Sequence, residues 1–190
     1  MIKKITLVLA TMLSVVSIYS LEDNGDGTIS DPAKKIIWQK CSVGQESVTT
    51  CENNTDGVRD EISRKANPRM KPEKLEKDIQ KQIALHKYKA TQLNWINAKN
   101  HCTTLDLAGK KWRLPTRVEL NSLIDLKVGG FDAQIDTSMF PGTSAYRYWT
   151  NEQFSEKKPD IYWTIHFLNG EEKRSEKTEM GYVRCVSDAK

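Results

Sequence analysis

Four cysteines, three histidines, two aspartate-rich stretches and one run of lysines are the residues of this 190-residue chain whose types and spacing could do chemistry. Cys41, Cys51, Cys102 and Cys185 could be thiol nucleophiles, metal ligands or disulfides. The chain has no Cys-x-x-Cys, and no histidine sits at metal-ligand spacing from a cysteine, so two disulfides are expected. Three pairings are possible, and the closeness of Cys41 to Cys51 favours Cys41–Cys51 with Cys102–Cys185. The long loop would then stabilise by about 4–5 kcal/mol and the short one by about 3. His86, His101 and His166 are scattered, with no nucleophile–base–orienter arrangement in view. Asp125, Asp132 and Asp136 read as caps and solvated loop residues in a turn-rich segment. Asp23-Asn24-Gly25-Asp26-Gly27-Thr28 could offer oxygens to calcium. Setting Gly27 at the invariant glycine of an EF-hand, however, places Ala33 where the bidentate glutamate belongs. Asn-Gly and Asp-Gly are hairpin-turn signals, and a turn is the reading taken. No metal or other cofactor is expected.

The lysines point to charge-driven binding. Between residues 64 and 89 nine lysines and arginines stand against Glu73, Glu76 and Asp78. Lys71, Lys74, Lys77 and Lys81 are the candidate polyanion-binding residues, since cations on one exposed face attract polyanions in a salt-sensitive way. A solvated face that binds nothing is the competing reading. The formal charge of the whole chain is only +4, so a generally basic nucleic-acid binder is excluded. A membrane-surface role lacks aromatic anchors on the apolar side of the helix.

Compartment follows from the N-terminus. Lys3 and Lys4 precede an apolar run from Ile5 to Ile18, and Ser20 offers a small residue before Glu22-Asp23-Asn24. The run is about 14 residues, short of the ~20 of a spanning helix, and reads as a signal peptide over residues 1–20. No cysteine lies near the cleavage point to carry a lipid, and no later stretch could span a bilayer. Residues 21–190 are then one exported domain, periplasmic, secreted or on the cell surface, in which disulfides persist.

The elements that must position these residues can be read from pattern. Thr28–Asp31 and Lys35–Gln39 are short strands. Residues 42–70 have no sustained period and read as loop. Pro72 opens a helix with Leu75, Ile79 and Ile83 on one face and the lysines facing water. A second helix runs from Trp95 to Leu105, capped by Asn94 and stopped by Gly109. Thr116-x-x-Glu119 is a capping box for a third, with Leu120, Leu123 and Ile124 facing the core and an end near Asp125 to Lys127. Tyr146–Thr150 and Ile161–Leu168 are strands, the latter with His166 on its less apolar face. Glu171–Glu179 reads as a charged loop and Gly181–Ser187 as the closing strand. Helices in the middle and strands at both ends predict an α+β domain whose termini meet in one sheet. Trp149 is expected in the core.

The order of motifs resembles a known family. Asp23-Asn24-Gly25-Asp26-Gly27-Thr28, Trp38-Gln39-Lys40-Cys41, Trp95-x-x-Ala98-x-x-x-Cys102-x-x-Leu105, Leu107-Ala108-Gly109-Lys110-Lys111-Trp112-Arg113-Leu114-Pro115-Thr116-Arg117-x-Glu119-Leu120, Phe140-Pro141, Tyr148-Trp149-Thr150 and Val183-Arg184-Cys185-Val186 follow one another as in the Lcl C-terminal domain family of exported bacterial proteins. Residues 59–92 depart from that pattern and look like a charged insertion. The Arg-Leu-Pro-Thr-x-x-Glu segment is also similar to the formylglycine-generating and sulfatase-modifying superfamily. That resemblance implies a C-type-lectin-like mixed sheet with two main helices and joined termini, disulfide-stapled, to which this chain adds an inserted basic helix. A helix-to-last-strand disulfide of lectin-like domains would match Cys102–Cys185. Trp112, Arg113, Leu114, Pro115, Thr116 and Glu119 are expected to be structural, with Arg113 bonding loop carbonyls while Trp112 and Leu114 pack under the sheet.

What the resemblance implies for function divides. The formylglycine-generating enzymes use cysteines near the C-terminus in a copper-dependent oxidation; this chain has only Cys185 there, with Cys102 as its expected partner. Calcium-dependent lectins use Glu-Pro-Asn or Gln-Pro-Asp with Trp-Asn-Asp, and none of these tripeptides occurs. The family's best-known role is an adhesin's terminal domain that binds sulfated glycosaminoglycans. The expectation is a non-enzymatic ligand-binding or adhesion module, with a sulfated glycan or a host or envelope protein as partner. An envelope enzyme or accessory domain is the alternative, and a structural or assembly domain the third.

Overall fold

The computed structural model describes residues 20–189. The expected signal peptide, apart from Ser20, lies outside them. In chain order the elements are β1 (Glu22–Asp23), β2 (Thr28–Asp31), β3 (Ile36–Gln39), α1 (Val58–Lys65), α2 (Pro72–Lys87), α3 (Trp95–Thr104), α4 (Arg117–Asn121), β4 (Arg147–Ser155), β5 (Lys158–His166), β6 (Glu171–Glu176) and β7 (Val186–Asp188). The class is α+β.

The first sheet has the order β1-β2-β3-β7, and each of its strand pairs is antiparallel. It joins the two ends of the described chain: Trp38 lies opposite Ile29 on one side and Val186 on the other. The turn between β1 and β2 is built from the residues that suggested calcium. Asp26 accepts from the Thr28 backbone and hydroxyl, and Asp23 accepts from Gly25 N–H while pairing with Lys40 at 2.6 Å. Those carboxylates are occupied in shaping the loop.

The second sheet is the meander β4-β5-β6, also antiparallel. The single mixed sheet implied by the resemblance is therefore replaced by two antiparallel sheets. β4 of the second sheet meets the segment that leads into β7 through a parallel bridge, Tyr148 to Tyr182. β6 corrects the loop expected over Glu171–Glu179. Its charged sequence hides the strand from a pattern search, yet β5 presents a full row of backbone donors and acceptors that needs a partner. Glu, Lys and Arg suit the exposed edge so formed.

The closing segment pairs with the first sheet only at its end. Earlier, Gly181 bridges to Leu93; Val186, where β7 begins, also bridges to Arg113. Gly181 packs so closely on Trp149 that a Cβ there would meet the indole nitrogen at 2.9 Å. Two apolar clusters result. One gathers Ile29, Trp38, Leu120, Phe140, Tyr148, Ile165 and Phe167; the other gathers Ala98, Cys102, Trp112, Leu114, Trp149 and Val183. Trp149 is fully buried, as expected.

Two helices differ from the sequence reading. α4 is five residues long and runs on into single turns: the N–H groups of Leu123 and Ile124 bond the carbonyls three residues back, of Leu120 and Asn121, and the Asp125 N–H beyond them bonds the carbonyl of Gln134. α1 lies in the segment read as loop. It begins at Gly57 with no side-chain cap and buries no residue. Its partner α2 supplies what its sequence lacks, through a two-bond pair between Arg59 and Glu76 at 2.8 and 2.9 Å. The expected inserted basic helix is thus a two-helix arm.

Candidate functional site

α2 carries the four lysines singled out above. Pro72 sits in its first turn, where the missing N–H costs nothing. Ile79 is its buried residue, and Leu75 and Ile83 flank it half-buried. Lys74, Lys77 and Lys81 recur at three- and four-residue steps on the opposite face, and Lys71 stands at the N-cap; all four are exposed. At 1.5 Å per residue this row extends about 15 Å along the helix. None of the four is within ion-pair distance of a carboxylate among the described residues. Five of the arm's other charges are ion-paired. Glu76 is held by Arg59, and that bond with a second from Gln80 lowers its carboxyl to about 2. Lys65 pairs with Glu61, and Lys87 with Glu52. What remains along the outer face of α2 is net positive charge, four lysines against Glu73 and Asp78, which can attract and hold anions.

The base of the arm is tied to the body. The Cys41–Cys51 disulfide closes a loop of sequence separation 10. From there Asn53 reaches across the foot of the hairpin. Its backbone N–H bonds the carbonyl of Lys87 at 2.7 Å, and its side-chain amide bonds the carbonyls of His86 and Lys89. Glu52 accepts from Tyr88 Oη at 3.0 Å. Beyond the hairpin, Thr91 N–H bonds Val43 C=O at 2.7 Å, which brings Thr91 against Gly44. A Cβ at Gly44 would overlap the Thr91 hydroxyl, and Gly44 has φ +88°, so glycine is required twice over.

The Trp112–Glu119 segment has a framework role. Trp112 and Leu114 are buried, and the Trp112 indole N–H donates to Leu107 C=O at 2.9 Å. Both halves of the Thr116–Glu119 capping box are present. Arg113 departs from expectation. Its main partners are carboxylates rather than loop carbonyls: both oxygens of Glu119 at 2.7 and 2.8 Å, and Asp188 at 2.7 Å. The fork geometry of guanidinium and carboxylate explains the preference. Burial acts to raise the Glu119 carboxyl, but Arg113 and the Thr116 N–H outweigh it and hold it below the usual range.

The arginine that does bind loop carbonyls is Arg184, which was not singled out from the sequence. It is fully buried, donates to the carbonyls of Gln39 and Lys40 and to the hydroxyls of Ser42 and Thr143, and lies 4.6 Å from the centre of the Phe140 ring. No carboxylate faces it, and burial lowers its pKa. Its one signal in the sequence is an arginine set between apolar residues in Val183-Arg184-Cys185-Val186. Arg117 was also passed over. It ties α4 to the second sheet through Glu152 and Glu172, at 2.7 and 2.9 Å, and lies 4.6 Å from the centre of the Trp163 ring.

The remaining candidates stay apart. Cys102 bonds Cys185, joining α3 to the residue before β7 across a sequence separation of 83. Asp125 and Asp136 accept backbone N–H bonds from Lys127 and Ser138, as turn residues do. Among the described residues, no three His, Cys, Asp or Glu side chains come together in a way that could hold a metal ion. No described helix is long and apolar enough to cross a membrane.

A family model described as the Lcl C-terminal domain matches residues 27–187. No curated protein matches the chain.

Proposed function

We propose that this chain, which belongs to the Lcl C-terminal domain family, is an exported, non-enzymatic ligand-binding or adhesion module that holds a sulfated glycan or another polyanion on the outer face of α2. One observation carries the reading: Lys71, Lys74, Lys77 and Lys81 lie exposed along α2 with no carboxylate in ion-pair distance among the described residues, and they outnumber the acids Glu73 and Asp78 beside them. Net positive charge held along a helix can neutralise a ligand's charge. The family assignment alone names no ligand.

Export is supported by Lys3, Lys4 and the apolar run that follows them, and by two disulfides, which fit an oxidising compartment. The finer fold reading is a C-type-lectin-like frame. It is supported by the sheet that joins the two ends of the described chain and by the bridge from α3 to the last strand. An experimental structure whose sheets and α3 superposed on no lectin-like domain would remove that reading.

The test of function is retention of the oxidised mature protein on immobilised heparin across a salt series. A variant with Lys71, Lys74, Lys77 and Lys81 changed to glutamine is run beside it. Saturable binding is expected, weakening at least roughly tenfold between about 0.05 and 0.2 M salt and largely lost in the variant. Absence of binding at low salt would sink the proposal.

A further inference from the structure

The two helices of the arm diverge on the side of α2 next to the lysine row, and leave a cleft of about 540 Å³. Val58 and Ile62 of α1 line one wall and Leu85 of α2 the other. Leu85 is 60 % exposed. The apolar walls belong to helices that do little else with such residues: α1 buries none and α2 buries only Ile79. Neither cluster of the core includes any residue of the arm.

The charge around the cleft is complementary to one class of occupant. Lys65 and Lys89 line it, and its one acid, Glu61, is bound to Lys65 at 2.5 Å. Lys81 lies one helical turn before Leu85, and Lys89, just past the end of α2, lines the same cleft as that leucine. We propose that this cleft docks an acidic amphipathic helix of a partner protein. Two or three aliphatic side chains of that helix enter between α1 and α2, and carboxylates flanking them meet Lys81 and Lys89. A sulfated glycan would have no use for the aliphatic walls. The docking site shares Lys81 with the outer lysine face but is centred on Val58, Ile62 and Leu85, and it does not rest on the glycan reading. An arm of two short helices offers a small interface, so the complex is weak and reversible.

The probe is a synthetic helix-forming peptide with leucines at i, i+3, i+4 and i+7 and glutamates beside them. Its control is a peptide of the same composition with the leucines scattered around the helix. Binding of each to the oxidised mature protein is measured by fluorescence anisotropy, with heparin retention recorded in parallel. The patterned peptide is expected to bind at least about tenfold more tightly than the scrambled one. Leu85→Ser, an exposed site whose change leaves the fold intact by circular dichroism, is expected to abolish that advantage and leave heparin retention unchanged. Ile62→Ser provides a second variant on the opposite wall. Equal binding of the two peptides, no binding of either, or an advantage that survives both substitutions would overturn the proposal. A protein that fails on heparin but discriminates between the peptides would retain this inference and lose the glycan one.

Discussion

Arg113 shows how much one side chain can organise. It lies at a bridge from the Trp112–Thr116 segment to the last strand, and its fork spans Glu119 of the capping box and Asp188 at the end of that strand. Arg113→Ala leaves Glu119 half-buried without its cation. We expect a loss of about 1–3 kcal/mol, seen as a fall in the melting midpoint of about 3–10 °C. An unchanged midpoint would mean that the pair is spectator charge. His101 makes a different prediction. It is half-buried on α3, its Nε2 has no partner, and burial lowers its pKa below 6.5. Below pH 6.5 the unfolded chain takes up a proton that the folded one resists, so stability rises with pH through this range and falls as the solution is acidified. Melting midpoints should drop between pH 7 and pH 5, and His101→Gln should flatten that drop. An equal slope in the variant would assign the effect to other groups.

At the scale of elements, the two disulfides have separate jobs. Cys102–Cys185 joins α3 to the strand that closes the first sheet, and both sulfurs are buried in the second apolar cluster. Cys41–Cys51 holds the loop from which the arm departs. Replacing Cys102 and Cys185 with alanine should therefore cost about 4–5 kcal/mol of global stability in the chain-entropy model. Replacing Cys41 and Cys51 with serine should cost about 3 kcal/mol or less, and should show first as faster hydrogen exchange and proteolysis within residues 58–87. If both double variants melted alike and exchanged alike, the arm would not be a separately anchored element. The helices themselves illustrate two routes to the same structure. α3 announces itself through Asn94, which caps Asn97 N–H at 2.9 Å. α1 has no side-chain cap; its local support is an acidic first turn, a basic last turn and the Glu61–Lys65 pair, and it lies against α2.

The molecule as a whole is a stapled body with an arm attached. The two ends of the arm are adjacent, since Asn53 bonds the carbonyls of Lys87 and Lys89. The core clusters draw nothing from it. Deleting residues 58–87 and closing the gap with a short Gly-Ser linker should thus leave a cooperatively melting protein with both disulfides formed. That protein should lose retention on heparin. Retention in the deleted protein would place the polyanion site on the body, where Lys110 and Lys111 line a second cleft of about 420 Å³.

Local chemistry determined much of this protein from its sequence. Cysteine spacing, the Thr116–Glu119 box, the period of Leu75, Ile79 and Ile83, and the Asn-Gly and Asp-Gly turn are short-range statements that a chain makes about itself, and the structure carries each of them. The α+β class and the meeting of the ends follow from the order of such segments. Tertiary structure alone decided the rest. β6 is a strand because β5 needs a hydrogen-bonded neighbour, whatever the charge on Glu171–Glu176. α1 lies against α2 and is tied to it by the Arg59–Glu76 pair, a partner 17 residues on. Arg184 is buried because four oxygens from distant loops converge on it. Past α4, the Asp125 N–H is held by the carbonyl of Gln134 rather than by its own helix. Each of these depends on a partner far away in the chain, and no pattern within one segment records where that partner will be.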